Sequence, residues 1–235
     1  MRFAIVGDHR EHFRRHGWVE FEELLTKEDV SALNGMVDAV MSKRLGVRAG
    51  ELALGASEAL QHGRDLWRDD PQIRKIVCRR RFAEVASNLL ERRSMRLAYD
   101  QLLVRGSLHH EEGKPSDILS SISTLSEVSA VQGVVGALIL SLKGEAGLSD
   151  SAAPFLPSAP GFGLFLSAAH PIQWKSLLED DFLGEASSRY LMIVYAEAKA
   201  LYILNTRDPH VHRAKGWGLV FGDRLEEPTF PLLIR

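Results

Sequence analysis

Gly161-Phe162-Gly163-Leu164-Phe165-Leu166, continued by Ser167-Ala168-Ala169-His170-Pro171-Ile172, and Ser188-Arg189-Tyr190-Leu191-Met192-Ile193-Val194-Tyr195 decide the reading of this chain. Both are short apolar runs rich in aromatic and β-branched residues and bounded by Gly, Pro or Ser, the pattern of buried strands. Each pairs its apolar run with a single polar residue, His170 closing the first and Arg189 opening the second. A His and an Arg at the ends of neighbouring strands can face one cavity, and this pair is the first candidate for chemistry.

Further short apolar runs with turn residues between them cover 118–125, 131–142, 199–204 and 216–221. Val131 to Leu142 is almost continuously apolar, as expected of a central strand covered on both faces. Gly144 to Pro160 reads as a loop, and Trp174 to Leu183 as a brief inserted helix. Arg96 to Val104 reads as another strand, followed by the charged segment His109-His110-Glu111-Glu112-Gly113-Lys114-Pro115.

The first 93 residues have helical character. Asp8 to His16 reads as a short polar helix with Asp8 as N-cap and Phe13 as its apolar anchor. Gly17-Trp18-Val19-Glu20-Phe21 alternates like a strand. Thr26 then caps a helix with Glu28 and Asp29 in its first turn, an apolar stripe of Val30, Leu33, Met36, Val37, Val40 and Met41, and Gly46 as its stop. A short helix is expected around Glu51 to Leu60. Pro71 starts a helical region that carries Ile73, Ile76 and Val77 and continues through Phe82, Val85, Ala86, Leu89 and Leu90. Arg74, Lys75, Arg79, Arg80 and Arg81 make its polar face strongly basic, a candidate nucleic-acid contact. The expected architecture is α+β in a single domain over 1–235, with 1–93 mostly helical and 94–235 mostly β.

Composition narrows the function classes. With 235 residues and 45% hydrophobic residues the chain can bury a full core. A formal charge of -2 gives no global attraction to nucleic acid or an anionic membrane. One cysteine, Cys78, allows neither an internal disulfide nor a Cys-based zinc site. Arg79 beside it suggests a lowered thiol pKa, but with no His partner in a catalytic pattern a structural thiol is expected. No apolar run nears the roughly 20 residues that span a bilayer. The start from Met1 to Asp8 is charged too early for a signal peptide, so a cytoplasmic setting is expected.

The order of parts resembles the phytanoyl-CoA hydroxylase group of iron(II)- and 2-oxoglutarate-dependent dioxygenases. Phe13-Arg14-Arg15-His16-Gly17-Trp18-Val19, then Leu24-Leu25-Thr26-Lys27-Glu28-Asp29-Val30, is similar to that family's entry of helix, aromatic strand and helix. Phe82-Ala83-Glu84-Val85-Ala86 through Asp100-Gln101-Leu102-Leu103 is similar to its helix running into the first core strand. The resemblance implies a helical N-terminal layer packed on a double-stranded β-helix, a jelly-roll, cupin-like core. It also implies an iron held by two His and a carboxylate, and an Arg that pairs with the distal carboxylate of 2-oxoglutarate. His170 falls at the late His, and Arg189 at the co-substrate Arg, with a longer spacing between them than the family's. The early His-x-Asp is missing: its expected region, Ser120-Ser121-Ile122-Ser123-Thr124, is hydroxylic. His109-x-Glu111 and His110-x-Glu112 are the nearest substitutes, with Glu111 as the candidate carboxylate.

Asp208-Pro209-His210-Val211-His212 offers two alternating His that in a strand would chelate a metal, though Asp-Pro points to a turn on the surface. Asp223 reads as a turn residue, and Asp180 and Asp181 as helix-end charges. The leading expectation is a dioxygenase-like fold without a working metal triad and without a cofactor, acting by binding a small molecule or protein. The rivals are an active hydroxylase using iron(II) and 2-oxoglutarate, and a nucleic-acid binder using the basic helix.

Overall fold

Thr26 and Gly46 bound the longest helix for reasons visible in single atoms. The Thr26 hydroxyl accepts the Asp29 N–H at 3.1 Å, and Gly46 leaves the helix at φ 68°, a conformation with little cost for glycine. The computed structural model describes residues 5–105, 122–144, 156–174 and 188–235. In it, α1 (Gly7–His16) leads to β1 (Trp18–Phe21), then to α2 (Lys27–Leu45), α3 (Ala56–His62), α4 (Pro71–Val77) and α5 (Arg80–Leu90). Short 3-10 turns lie at Ala49–Glu51 and Leu66–Arg68. The β half follows as β2 (Met95–Arg105), β3 (Ile122–Ser123), helix α6 (Leu125–Val128), β4 (Val131–Lys143), β5 (Gly163–Ser167), β6 (Ile172–Gln173), β7 (Ser188–Tyr202) and β8 (Leu232–Ile234).

Six strands form an antiparallel sheet in the order β1-β5-β4-β7-β2-β8, and β3 pairs with β6 in a second small sheet. The large sheet is buried on both faces. On one face Leu138, Leu140, Phe165, Ile193 and Tyr195 meet Leu33, Val37, Phe82 and Val85 of the helices. On the other, Ile139, Leu164, Met192 and Val194 meet Leu125, Ile172, Trp174 and the C-terminal turns. The α+β expectation and the central, doubly covered strand at β4 therefore both hold.

Several expectations need correcting. Val6, not Asp8, is the N-cap of α1, and Asp8 lies inside the first turn. The helical region after Pro71 is two helices, broken where Arg79 turns extended. The break re-phases the chain: Ile73, Ile76 and Val77 cannot share a straight helix's face with Phe82, Val85, Ala86 and Leu89, and all seven are buried. The runs at 189–195 and 199–204 are one strand, because exposed Glu197 and Lys199 are its solvent-facing alternates rather than a turn. Residues 216–221 form no strand; a 3-10 turn spans Arg213–Trp217, and Val220 is exposed. Most of the expected loop after Gly144 and of the helix after Trp174 lies outside the described residues.

Beyond Leu97 the outer edge of β2 is covered by the segment after α3. Asp65 N–H donates to Asp100 C=O at 2.9 Å, and Leu102 N–H to Gly63 C=O at 2.8 Å. This closes an edge that would otherwise template strand addition. The close approach needs Gly63, since a Cβ there would stand 2.4 Å from the Ala59 oxygen and 2.6 Å from the Leu102 Cβ. Gly63→Ala is expected to lower stability by about 1–3 kcal/mol through overpacking against backbone; a urea midpoint unchanged from the parent would contradict it.

Candidate functional site

His170 sits in the turn that follows β5. Its ring is half-buried and packs on Gly17, where a Cβ would lie 3.1 Å from its Nδ1. Burial pulls its pKa below the ordinary imidazole value, against a hydrogen bond to the His16 backbone. The partner strand brings hydroxyls to this place. Ser123 pairs with Ile172, so the continuation Thr124-Leu125-Ser126 runs past Pro171 and His170, and the Ser126 N–H donates to the Ala168 carbonyl at 3.3 Å. Thr124 is occupied as the N-cap of α6. The Glu127 carboxylate accepts from the Thr124 N–H at 2.7 Å and its hydroxyl at 3.0 Å. These hydrogen bonds hold the Glu127 pKa below the usual carboxylate range.

Arg189 is elsewhere. It opens β7 on the face that carries the helices, and its guanidinium donates to Asp38 of α2 at 2.5 Å, with its side chain 13% exposed. On β4, Ser167 of β5 is opposite Gly136 and Arg189 is opposite Lys143. Seven residues of strand put these positions roughly 20 Å apart. The structure thus does not bring His170 and Arg189 to one cavity. Glu111, with His109, His110 and Glu112, lies outside the described residues, as do Asp180 and Asp181. Among the described residues no group of three His, Cys, Asp or Glu is arranged to hold a metal.

The basic residues divide between two helices. Arg74 and Lys75 are exposed on α4. Arg79 pairs with Asp29 at 3.3 Å and Arg80 with Glu84 at 2.8 Å, while Arg81 is half-buried on α5. Cys78 is half-buried, and burial pushes its thiol pKa up, overriding Arg74; the lowered pKa suggested by the sequence is reversed.

The polar centre that the sequence did not reveal lies at Arg64 and Asp208. Asp208 is buried in a turn rather than displayed on the surface. Its carboxylate accepts Arg64 Nη1 at 2.9 and 3.0 Å, the Ala130 N–H at 2.7 Å and the His210 N–H at 2.9 Å. Arg64 also donates to Gln101 at 3.1 Å and lies 4.0 Å over the Tyr99 ring. His210 does not alternate with His212 along a strand. Its Nε2 is 2.8 Å from the Leu60 carbonyl, an acceptor only, so that nitrogen carries the proton. Burial, helped by Arg64, pushes the His210 pKa down to about 4. His212 is exposed. Next to this cluster Arg213 donates to Asp65 at 2.9 Å, and Arg68 is sandwiched between Trp67 and Trp217 at 4.3 and 3.8 Å. The small cavity beside it, lined by Tyr99, Asp208, His210, Arg213 and Trp217 among others, measures about 40 Å³, which suits water and not a substrate. It is a lock between the edge of β2, the start of β4 and the C-terminal turns. Asp223 is the turn residue expected, accepting the Val220 N–H at 2.8 Å.

A larger cleft of about 440 Å³ opens between α1, α5 and β4, beside the turn that carries His170. Phe13, Leu89, Leu90 and Val134 line it, and Arg10, Arg14 and Arg92 stand around it. Glu91 holds Arg14 at 2.7 Å, and Glu197 holds Arg92 at 3.6 Å. Its volume falls in the range of small-molecule sites. No helix among the described residues is long and apolar enough to cross a membrane.

No family model matches the chain, and a search of curated proteins also finds no match. Its fold, a curled antiparallel sheet with helices packed on it, is that of solved non-heme, α-ketoglutarate-dependent enzymes. The carbocyclase SnoK of nogalamycin biosynthesis superposes with a TM-score of 0.66 at 17% identity, over 97% of this chain and 96% of that one. The epimerase SnoN of the same biosynthesis gives a TM-score of 0.67 at 17% identity over 97% and 98%. EvdO2 from Micromonospora carbonacea var. aurantiaca, in complex with 2-oxoglutarate, gives 0.52 at 15% identity over 87% and 96%. At such identities the likeness establishes the architecture. The jelly-roll resemblance read from the sequence holds at that level.

Proposed function

We propose that this chain uses the dioxygenase fold for binding rather than for oxidation. The observation that carries the reading is the separation of its two site candidates: Arg189 is held by Asp38 on the helical face, roughly 20 Å of strand from the turn bearing His170. Among the described residues the segment that runs past His170 is Thr124-Leu125-Ser126, and hydroxyls are poor ligands for iron(II). Fold and function are separable, so a kept scaffold need not keep its reaction. The cleft lined by Phe13, Leu90 and Val134, with Arg10 and Arg92 beside it, is the place for a small-molecule ligand.

The test is an anaerobic titration of metal-free protein with iron(II) and then 2-oxoglutarate. No charge-transfer absorption, and no succinate formed once oxygen is admitted, is the expected result. A band saturating at one equivalent and lost in His170→Ala would overturn the proposal. It would then assign the chain to the hydroxylases, with Glu111 or Glu112 the carboxylate to test next.

A further inference from the structure

In the helical layer, α1 carries His9, His12 and His16 in ten residues. His12 and His16 are one helical turn apart, the i and i+4 spacing by which a helix presents two imidazoles to one ion. Their ring centroids are 4.5 Å apart with the planes tilted by 37°. A ring centroid lies about 3.2 Å from a metal bound at one of its nitrogens, given metal–nitrogen bonds of about 2.1 Å. With one nitrogen of each ring turned to the same ion, centroids 4.5 Å apart correspond to roughly a right angle there, the angle of cis ligands. We propose that His12 and His16 chelate a divalent transition metal at the surface of α1, with solvent completing the coordination.

The surroundings fit this use. His12 is half-buried against the edge of Trp18, with centroids 4.9 Å apart, which fixes its ring. His16 is exposed, leaving the ion open to water. The neighbouring cations are engaged by carboxylates, Arg15 by Glu11 at 2.7 Å and Arg14 by Glu91 at 2.7 Å. Burial together with His16, Arg15 and His9 holds the His12 pKa below the ordinary imidazole value. His9 is turned to other work: its Nδ1 accepts the Val6 N–H at 3.4 Å, and its ring packs on Phe21.

The experiment is calorimetric titration of the full chain with nickel(II), and separately zinc(II), in a non-coordinating buffer. One equivalent is expected to bind. His12→Ala and His16→Ala should each weaken binding by about tenfold or more, since one imidazole cannot chelate. His16→Gln, at an exposed position, guards against a folding defect, and His170→Ala should bind as the parent does. The proposal is overturned if the parent takes up neither metal, or if binding survives loss of His12 and His16. Binding that fails only in His170→Ala would also overturn it, placing the ion at the turn after β5 and contradicting the binding-only reading instead.

Discussion

Replacing Asp208 by alanine is expected to lower the unfolding free energy by about 3–5 kcal/mol, among the largest single-residue losses this chain can show. The Asp208 side chain is 1% exposed and its partner Arg64 10%. Removing the carboxylate strands a buried guanidinium that keeps only Gln101 as a side-chain acceptor. It also leaves the N–H groups of Ala130 and His210 without their side-chain acceptor. These three groups belong to the segment after α3, the approach to β4 and the C-terminal turn, so the loss falls on the junction of all three. Asp208→Asn, which keeps one acceptor oxygen, should lose less. Arg80→Ala is the contrast: its pair with Glu84 is exposed and spaced i, i+4, and should matter by a few tenths of a kcal/mol. Urea unfolding of the three variants decides it. A loss below about 1 kcal/mol for Asp208→Ala would mean the pair is no lock.

The sequence could not have shown this pair, because Arg64 and Asp208 are 144 residues apart and burial is a property of the fold. Asp208-Pro209 looks like a surface turn, and it is a turn, but one folded inward. What was legible had local causes. The Thr26 cap, the apolar stripe of α2 and Gly46 each act within one or two helical turns, and the apolar run of β4 announces a strand with no wet face. The candidate site was misjudged for a related reason. A strand buried on both faces has no polar alternation, so nothing in Tyr190-Leu191-Met192-Ile193 says which way Arg189 points. Its parity with Leu191 and Ile193 sends it to the helices and to Asp38. Register then separates it from His170, and register is set by pairings with β4 and β2 that no local pattern encodes. The break between α4 and α5 was legible in principle, since the apolar phase slips between Val77 and Phe82.

Between pH 5 and pH 8 the chain is expected to lose stability through Asp100, and Asp100→Asn should remove most of that loss. Asp100 points from β2 into the helical side of the sheet, fully buried. Its oxygens accept the N–H groups of Leu66 and Trp67 at 3.0 and 3.1 Å. Those bonds and Arg44 favour the carboxylate. Burial, which comes first, and the neighbouring Asp65 outweigh them and push its pKa from 3.8 up to about 7. A folded-state pKa above the unfolded one means that the folded chain holds a proton the unfolded chain gives up. The stabilisation is therefore complete below about pH 4 and disappears as the pH climbs through about 7. At 1.36 kcal/mol per pH unit the rise corresponds to about 4 kcal/mol. Asp65, whose pKa burial also raises, adds in the same direction. His210, His170 and His12, whose pKa values burial lowers from the ordinary imidazole value, act oppositely over part of this range, so the comparison that isolates Asp100 is parent against Asp100→Asn, unfolded in urea at pH 5 and pH 8. The asparagine keeps an acceptor for one of the two N–H groups and cannot ionise. If the parent proves no more sensitive to pH than the variant, Asp100 is already ionised at pH 5, and its two backbone donors outweigh the burial. If the parent alone weakens as the pH rises, the turn at Leu66–Arg68 that closes the edge of β2 is tied to a proton, and opens first in alkaline solution.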